Sequence, residues 1–331
     1  MKTVVHTLER LEVGSPVSFA NLTLFPLLGD AGRRPDYATL DEAIEAGWFE
    51  VSEVSRAGSV PELKAVNRGD RGVFMMDGEE LVGTKQNRVL NLTILVPSGK
   101  TLVVPVSCVE QGRWSSQSVA MDVSPDALYS KARLAKMMDV SRSYSQVRRP
   151  MSNQSALWSE LEGAAKKLRV NSPTGAMSDM YAQHSRPVRD YERAFHAADG
   201  QSGAMFAIGG RLVGLELFEH PEMLRKMLRK VVRSYALDAI QAGESSGDVP
   251  SAEAAREFLA ELAGGRAETF PAVGQGHDVR ITGERLTGAA LVVDDRVVHL
   301  CAFRTETEQR EDPRSGGGRI ASASLRRRGV A

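Results

Sequence analysis

Two short stretches hold most of the side chains that could do chemistry on a small polar ligand. The first, DGEELVGTKQNRVLN (77–91), supplies Glu79, Glu80, Lys85, Gln86, Asn87 and Arg88. The second, VPVSCVEQGRW (104–114), supplies Cys108, Glu110, Gln111, Arg113 and Trp114. Lys and Arg hold phosphate or carboxylate, Arg as a two-pronged fork. Gln and Asn present donors and acceptors together, which suits ribose hydroxyls or a base edge. Trp offers a stacking plane, and a carboxylate takes a proton or holds a metal. Glu110 and Glu80 are therefore the candidate catalytic acid–base groups. Lys85, Gln86, Asn87, Arg88, Arg113 and Trp114 are the candidate ligand-binding set. The competing reading is a sheet edge carrying charged gatekeepers. Gatekeeping asks for Lys or Glu, however, and gives no reason for a Gln-Asn pair facing a second polar cluster.

The flanking segments must position these groups. RVLNLTILV (88–96) and TLVVPVSCV (101–109) read as strands, and VPSGKT reads as the turn between them. This hairpin would put Arg88 roughly opposite Val109 and bring 85–87 toward 110–113. Strand alternation places Gln86 and Arg88 on one face and Lys85 and Asn87 on the other, which favours Gln86 and Arg88 as partners of Glu110. Cys108, flanked by valines and without an adjacent histidine, reads as a buried thiol, with Arg113 the cation that could activate it.

Further strands are expected at 22–28, 48–54 and 72–78, and a short helix in TLDEAIEAG, where Thr39 and Glu42 form a capping box and Gly47 ends the helix. Between 126 and 262 the apolar period becomes helical, interrupted by an apparent hairpin around Gly209-Gly210. One helix is expected over 177–198, broken or kinked at Pro187. HPEMLRKMLRKVVRSYALDAI is the clearest helix, with His220 at its start. The expected fold is α+β: a strand-rich part (1–114), a mainly helical middle (126–262) and C-terminal strands (265–303). The strands from both ends share a mainly antiparallel sheet in a single core over 1–303. The Gly/Ser/Arg-rich tail, 304–331, has no periodicity and is expected to be disordered.

Other motifs are weaker. SGKT (98–101) lacks the preceding glycine of a phosphate loop, since that position holds Ile94, and a strand follows instead of a helix. GQGHD (274–278) is half a dinucleotide fingerprint and reads as a tight turn. The six histidines are scattered, His299 reads as a satisfied strand residue, and two cysteines cannot build a structural zinc site. No metal ligand set is expected, although a Mg2+ held by two carboxylates and a bound phosphate would leave no signature; the cofactor is otherwise unknown. Lys131, Arg133, Lys136, Arg142, Arg148 and Arg149 face one nearby acid, Asp139, and read as solvated helix faces rather than a nucleic-acid stripe.

The chain has 42 basic and 42 acidic residues, so no overall field favours nucleic acid or a membrane surface. No apolar run approaches the roughly 18 residues a transmembrane helix needs. The mixed start MKTVVHTLERL is no secretory signal, and the two cysteines suit a reducing cytoplasm, so the chain is expected to be cytoplasmic.

GSVPELKAVNRGDRGVFMMDGEELVGTKQNRVLN followed by VPVSCVEQGRW resembles a bacterial family named for its association with ADP-ribosylglycohydrolases and the rhodanese-phosphatase superfamily, with weaker echoes through MFAIGGRLVGLELFEHPEML to VVHLCAF. The resemblance implies a ligand related to ADP-ribose or NAD and partners from ADP-ribose metabolism; it carries over no catalytic residue. Three functions compete: processing of such a nucleotide, with hydrolysis as the candidate reaction, or its sensing; a non-catalytic module docking an ADP-ribose-processing enzyme; and nucleic-acid binding through the 131–169 helices.

Overall fold

Short apolar blocks separated by Gly, Pro and Asp make strands of the first third of the chain, and these fold into a barrel and a small sheet. The computed structural model describes residues 1–29, 32–243 and 247–305. The barrel strands are β5 (Phe49–Glu53), β6 (Glu62–Asn67), β8 (Glu79–Gly83), β9 (Arg88–Leu90), β11 (Thr101–Cys108) and β12 (Ala120–Ala127). They close in the order β11–β6–β5–β12–β8–β9 with every neighbour antiparallel. Period-2 burial along β6 turns Leu63 and Ala65 inward, where they pack with Val51, Leu81, Leu90, Val104 and Val106. Beside the barrel, β10 (Ile94–Val96), β7 (Gly72–Met75) and β4 (Tyr37–Thr39) form a three-stranded sheet, with β4 parallel to β7. Thr39 and Glu42 close the expected capping box on α2 (Leu40–Glu45).

The ends of the chain meet in a nine-stranded antiparallel sheet. Its strands are β1 (Glu12–Val13), β2 (Val17–Phe19), β3 (Leu22–Leu28), β13 (Gln201–Ile208), β14 (Arg211–Phe218), β15 (Arg266–Pro271), β16 (His277–Thr282), β17 (Leu286–Val293) and β18 (Arg296–Arg304). Their order is β1–β3–β13–β14–β18–β17–β16–β15, with β2 added on β3. Alternation gives this sheet two apolar faces. Leu24, Ala204 and Phe206 pack against Leu224, Met227, Val231 and Tyr235 of α7 (Pro221–Ala242). Phe25, Leu27, Met205 and Ala207 pack against α1 (Lys2–Glu9) and α8 (Ala252–Ala263) through Val4, Leu8, Phe258 and Leu262. The remaining helices, α3 (Ser130–Val147), α4 (Gln154–Leu168), α5 (Met177–Gln183) and α6 (Ser185–Ala194), cover the barrel side, with α4 and α5 packed on Val89 and Val109. The α+β class and the shared antiparallel sheet are as the sequence reads.

Several local expectations are corrected. The 88–96/101–109 hairpin forms only at its open end, where Arg88, Val89 and Leu90 pair with Cys108, Ser107 and Val106, so Arg88 faces Cys108 and not Val109. Residues 94–96 leave to pair with β7, and 101–105 pair with β6. The PSGK turn therefore links two sheets. Asn67 fixes it by donating to the carbonyls of Val96 and Pro97. The helix expected over 177–198 is two helices separated at His184, with Pro187 in the first turn of the second, where a missing N–H is tolerated. α1 and β12 carry no expectation above, and β1, β2, β4, β6 and β8 fall in the strand-rich part without being placed individually. Of the expected tail, Arg304 ends β18 and pairs with Glu261, and the Thr305 amide donates to the Arg285 carbonyl; residues 306–331 lie outside the described residues. GQGHD is a turn, closed by Ala272 donating to Gly276 between β15 and β16. His220 caps α7, accepting from the Glu222 amide at 3.1 Å.

Candidate functional site

The hairpin that matters is β8–β9, and its turn is the polar stretch itself. Strand β8 ends at Gly83, β9 begins at Arg88, and Leu81 pairs with Arg88. Gly83 sits at φ 116° and Thr84 at φ 38°, so the chain enters the 84–87 turn through positive φ at these two residues. Strand alternation therefore does not govern Lys85, Gln86 and Asn87, and the expected pairing of faces fails. The turn sorts the expected residues into three groups.

The first group is a closed polar knot. Glu110 accepts from the Asn87 amide at 3.0 Å, from Arg113 at 2.6 Å and from the Thr174 hydroxyl at 3.0 Å, so both its oxygens are engaged. Gln86 donates to the Glu110 carbonyl, and Arg113 also donates to the Asn87 side chain and the Thr84 carbonyl. Although burial raises the Glu110 pKa, Arg113 and the Asn87 amide outweigh it and hold it below the usual range. An ionised carboxylate with three acceptor positions committed to Asn87, Arg113 and Thr174 braces the turn.

Glu80 is alone in the second group. It lies on the opposite strand face from Arg88, paired with Val89, fully buried, and neither carboxyl oxygen has a hydrogen-bond partner. Burial pushes its pKa up to about 8 against the pull of Ser124, and Asp126, Glu110 and Asp179 add repulsion. The folded protein thus holds Glu80 protonated at neutral pH, whereas the unfolded chain ionises it near the ordinary value of 4.5. Its contribution is fully present below pH 4.5 and is lost as pH rises toward 8. Glu80→Gln is expected to flatten this decline in urea-unfolding stability between pH 5 and 8; an unchanged slope would contradict the assignment.

The third group is Lys85, Arg88 and Trp114 at the end of the barrel. Arg88 is 0% exposed and points inward beside Leu81 and Cys108. Its Nε donates to the Val60 carbonyl at 3.1 Å, while Nη1 and Nη2 are buried without a partner. Burial pulls its pKa down against the field of Cys108 and Glu53, but an arginine stays a cation in any case. The Trp114 ring, 47% exposed, covers it: Arg88 and Lys85 stand 5.6 and 5.4 Å from the ring centroid. Gly58 (φ 79°) leaves the room. A Cβ there would lie 2.8 Å from the Lys85 side chain and 3.2 Å from Glu53 Oε2. Glu53 holds the turn through Oε1, which accepts from the Thr84 hydroxyl and the Lys85 amide, and its Oε2 has no partner. Here the barrel end offers unpaired guanidinium nitrogens, an ammonium, a free carboxylate oxygen and an indole.

Over residues 10–303 the chain matches ARPP-1, the ARG and Rhodanese-Phosphatase-superfamily-associated Protein domain. The chain belongs to this family. No curated protein and no solved structure matches it. The ARPP-1 match takes in all three groups. Glu53 and Gly58 lie outside the two polar stretches, and only the fold brings them beside Lys85. A signal was present in SEVSRAGS, an acid and a glycine in a loop-like segment. Cys108 is fully buried, and burial raises its pKa while Glu110 and Arg88 draw it down. In this ARPP-1 domain Cys108 should alkylate far more slowly in the native state than in urea; equal rates under both conditions would place it at the surface.

A second polar centre lies deeper and was missed by the sequence reading, which left Arg133 and Lys136 on a solvated helix face. Both are buried. Arg133 forks onto Glu216 at 2.5 and 3.2 Å and reaches Asp77 at 3.2 Å; Lys136 reaches Asp77 at 2.7 Å. His299 bonds Glu216 at 3.1 Å and Thr93 at 2.8 Å. Among the described residues, Glu216, His299 and Cys301 bring ligand atoms within 4.8 Å of one another. Arg133 already occupies both Glu216 oxygens and both His299 nitrogens are engaged, so this set fits a cross-link between α3, the large sheet and the β7–β8 turn better than a metal site. Of the remaining cations, Lys131 pairs with Glu160 and Arg142 with Asp139, while Arg148 and Arg149 are exposed. No described helix is long and apolar enough to cross a membrane.

Proposed function

We propose that the barrel end binds the anionic part of an ADP-ribose- or NAD-related nucleotide, as a sensor or as one step of processing. The observation that carries this reading is the Arg88 guanidinium, fully buried with two nitrogens unpartnered. An unsatisfied buried donor costs about 1–3 kcal/mol, so the site is preorganised for a forked oxyanion such as a phosphate or carboxylate. Lys85 adds charge at the mouth, Trp114 a stacking plane once its cations turn to the ligand, and Glu53 Oε2 an acceptor for a hydroxyl. The family's association with ADP-ribosylglycohydrolases narrows the oxyanion to this nucleotide class. Glu53, rather than Glu110 or Glu80, is then the carboxylate placed to meet a bound ligand. A thermal-shift screen against ADP-ribose, NAD, AMP and adenosine, with and without Mg2+, tests the class. At a hundred times Kd a ligand adds about 2.7 kcal/mol of stability. Phosphate-bearing members should raise the melting temperature and adenosine should not; no shift from any of them would count against nucleotide binding.

The exposed Trp114, on a segment whose residues 115–118 are also exposed, favours a second reading as a docking anchor for a partner enzyme. On that reading Trp114→Ala would abolish partner binding, and the screen would be silent.

A further inference from the structure

We propose that a groove between α3 and the β15–β17 edge of the large sheet is a second binding site, for a small molecule bearing a phosphate or similar oxyanion. The groove holds a cavity of about 450 Å³, within the range of small-molecule sites. Ser141 and Arg142 line it from α3, and Arg266, Arg280, Thr282 and Thr287 line it from the sheet. Two donors on these facing elements are orphaned. Arg280 is 4% exposed; its Nη2 donates to Asp278 at 2.7 Å, its Nε stands 2.6 Å from the same carboxylate as an ion pair without hydrogen-bond geometry, and its Nη1 is buried without a partner. Across the groove the Ser141 hydroxyl is buried and also has no partner.

Buried polar groups are nearly always satisfied, so two unpaired donors lining one cavity point to an acceptor that completes both. Donor chemistry selects an acceptor-bearing ligand, because the charges balance locally. Asp278 holds Arg280, Glu268 holds Arg266 and Asp139 holds Arg142. The orphaned Arg280 Nη1 and Ser141 hydroxyl therefore supply the principal contacts. The Thr282 hydroxyl adds a donor that suits the many acceptor positions of a tetrahedral phosphate better than the two oxygens of a carboxylate. None of these residues belongs to the barrel, so this site and the Arg88 site stand or fall separately.

The test is calorimetric titration of the full chain with inorganic phosphate, using Ser141→Asp, Arg280→Lys and Arg88→Met variants with melting curves for each. Ser141→Asp places a carboxylate beside Arg280 and repels the anion. It should cut phosphate affinity at the groove at least tenfold and melt no lower than the parent. Arg280→Lys keeps one cationic nitrogen opposite Asp278 but removes the guanidinium fork and with it Nη1, and it should weaken phosphate in the same way; it decides the matter if Ser141→Asp does not fold. Arg88→Met should retain the groove's phosphate equivalent. Phosphate binding unchanged in both folded groove variants, or lost altogether in Arg88→Met, would overturn the proposal.

Discussion

Replacing Arg133 by Met is expected to lower the unfolding free energy by about 3–5 kcal/mol, the range for breaking a buried ion pair from one side. Arg133 is raised well above its ordinary pKa: burial opposes its charge, and Glu216 and Asp77 outweigh it. Burial acts in the same way on Asp77 and Glu216, and Lys136 and Arg133 respectively hold each of them ionised. Methionine would leave Glu216 with only His299 and Tyr235, and Asp77 with Lys136. Three elements would then meet around uncompensated negative charge. Adding Glu216→Gln should recover part of the loss, because the two residues share one interaction and their effects cannot add. Urea unfolding of the two single variants and the double measures this directly. A single-variant loss below about 1 kcal/mol, or strict additivity, would show that the network is not the cross-link its geometry describes.

Arg88→Met should behave in the opposite way, although Arg88 is equally buried. It makes one hydrogen bond, to the Val60 carbonyl, and its remaining nitrogens are unsatisfied. Substituting an under-paired buried charge with an apolar side chain of similar size is often neutral or stabilising by about 1–4 kcal/mol. The loss of its contact with Trp114 offsets about 1 kcal/mol of that. The expected result is a melting temperature equal to or above that of the parent. A site that weakens the fold it sits in is the pattern of a residue kept for its ligand. A clear loss of stability in Arg88→Met would instead make Arg88 a structural residue and remove the ground for a site at the barrel end.

The contrast between these two arginines shows what the sequence could and could not reveal. Helix α7 and the capping box at Thr39 were legible because local period and local hydrogen bonds specify them. The α+β class was legible because strand patterns stand at both ends of the chain. Register was not. Residues 88–96 and 101–109 look like one hairpin by pattern, but β10 buries its side chains better against β7, and the PSGK turn became a crossover. Because of that one shift Arg88 faces Cys108, and the polar stretch is itself a turn. Burial of charge was equally hidden: KARLAKMMD is spaced like an ordinary amphipathic helix, and only Asp77 and Glu216, distant in sequence, show that Arg133 and Lys136 point inward. At the candidate site, the residue types in 80–88 and 108–114 were readable, whereas their division into a closed knot around Glu110, an isolated Glu80 and an open cationic end at Arg88 depends on the turn's backbone.

Calorimetric titration of ADP-ribose into the parent chain and into Arg88→Met tests the barrel-end reading most directly. Loss of a charge-assisted bond worth about 1.5–3 kcal/mol should reduce affinity roughly ten- to a hundredfold, in a variant that melts at or above the parent temperature. Equal affinity in the two folded proteins would contradict the assignment of the nucleotide's anionic group to Arg88.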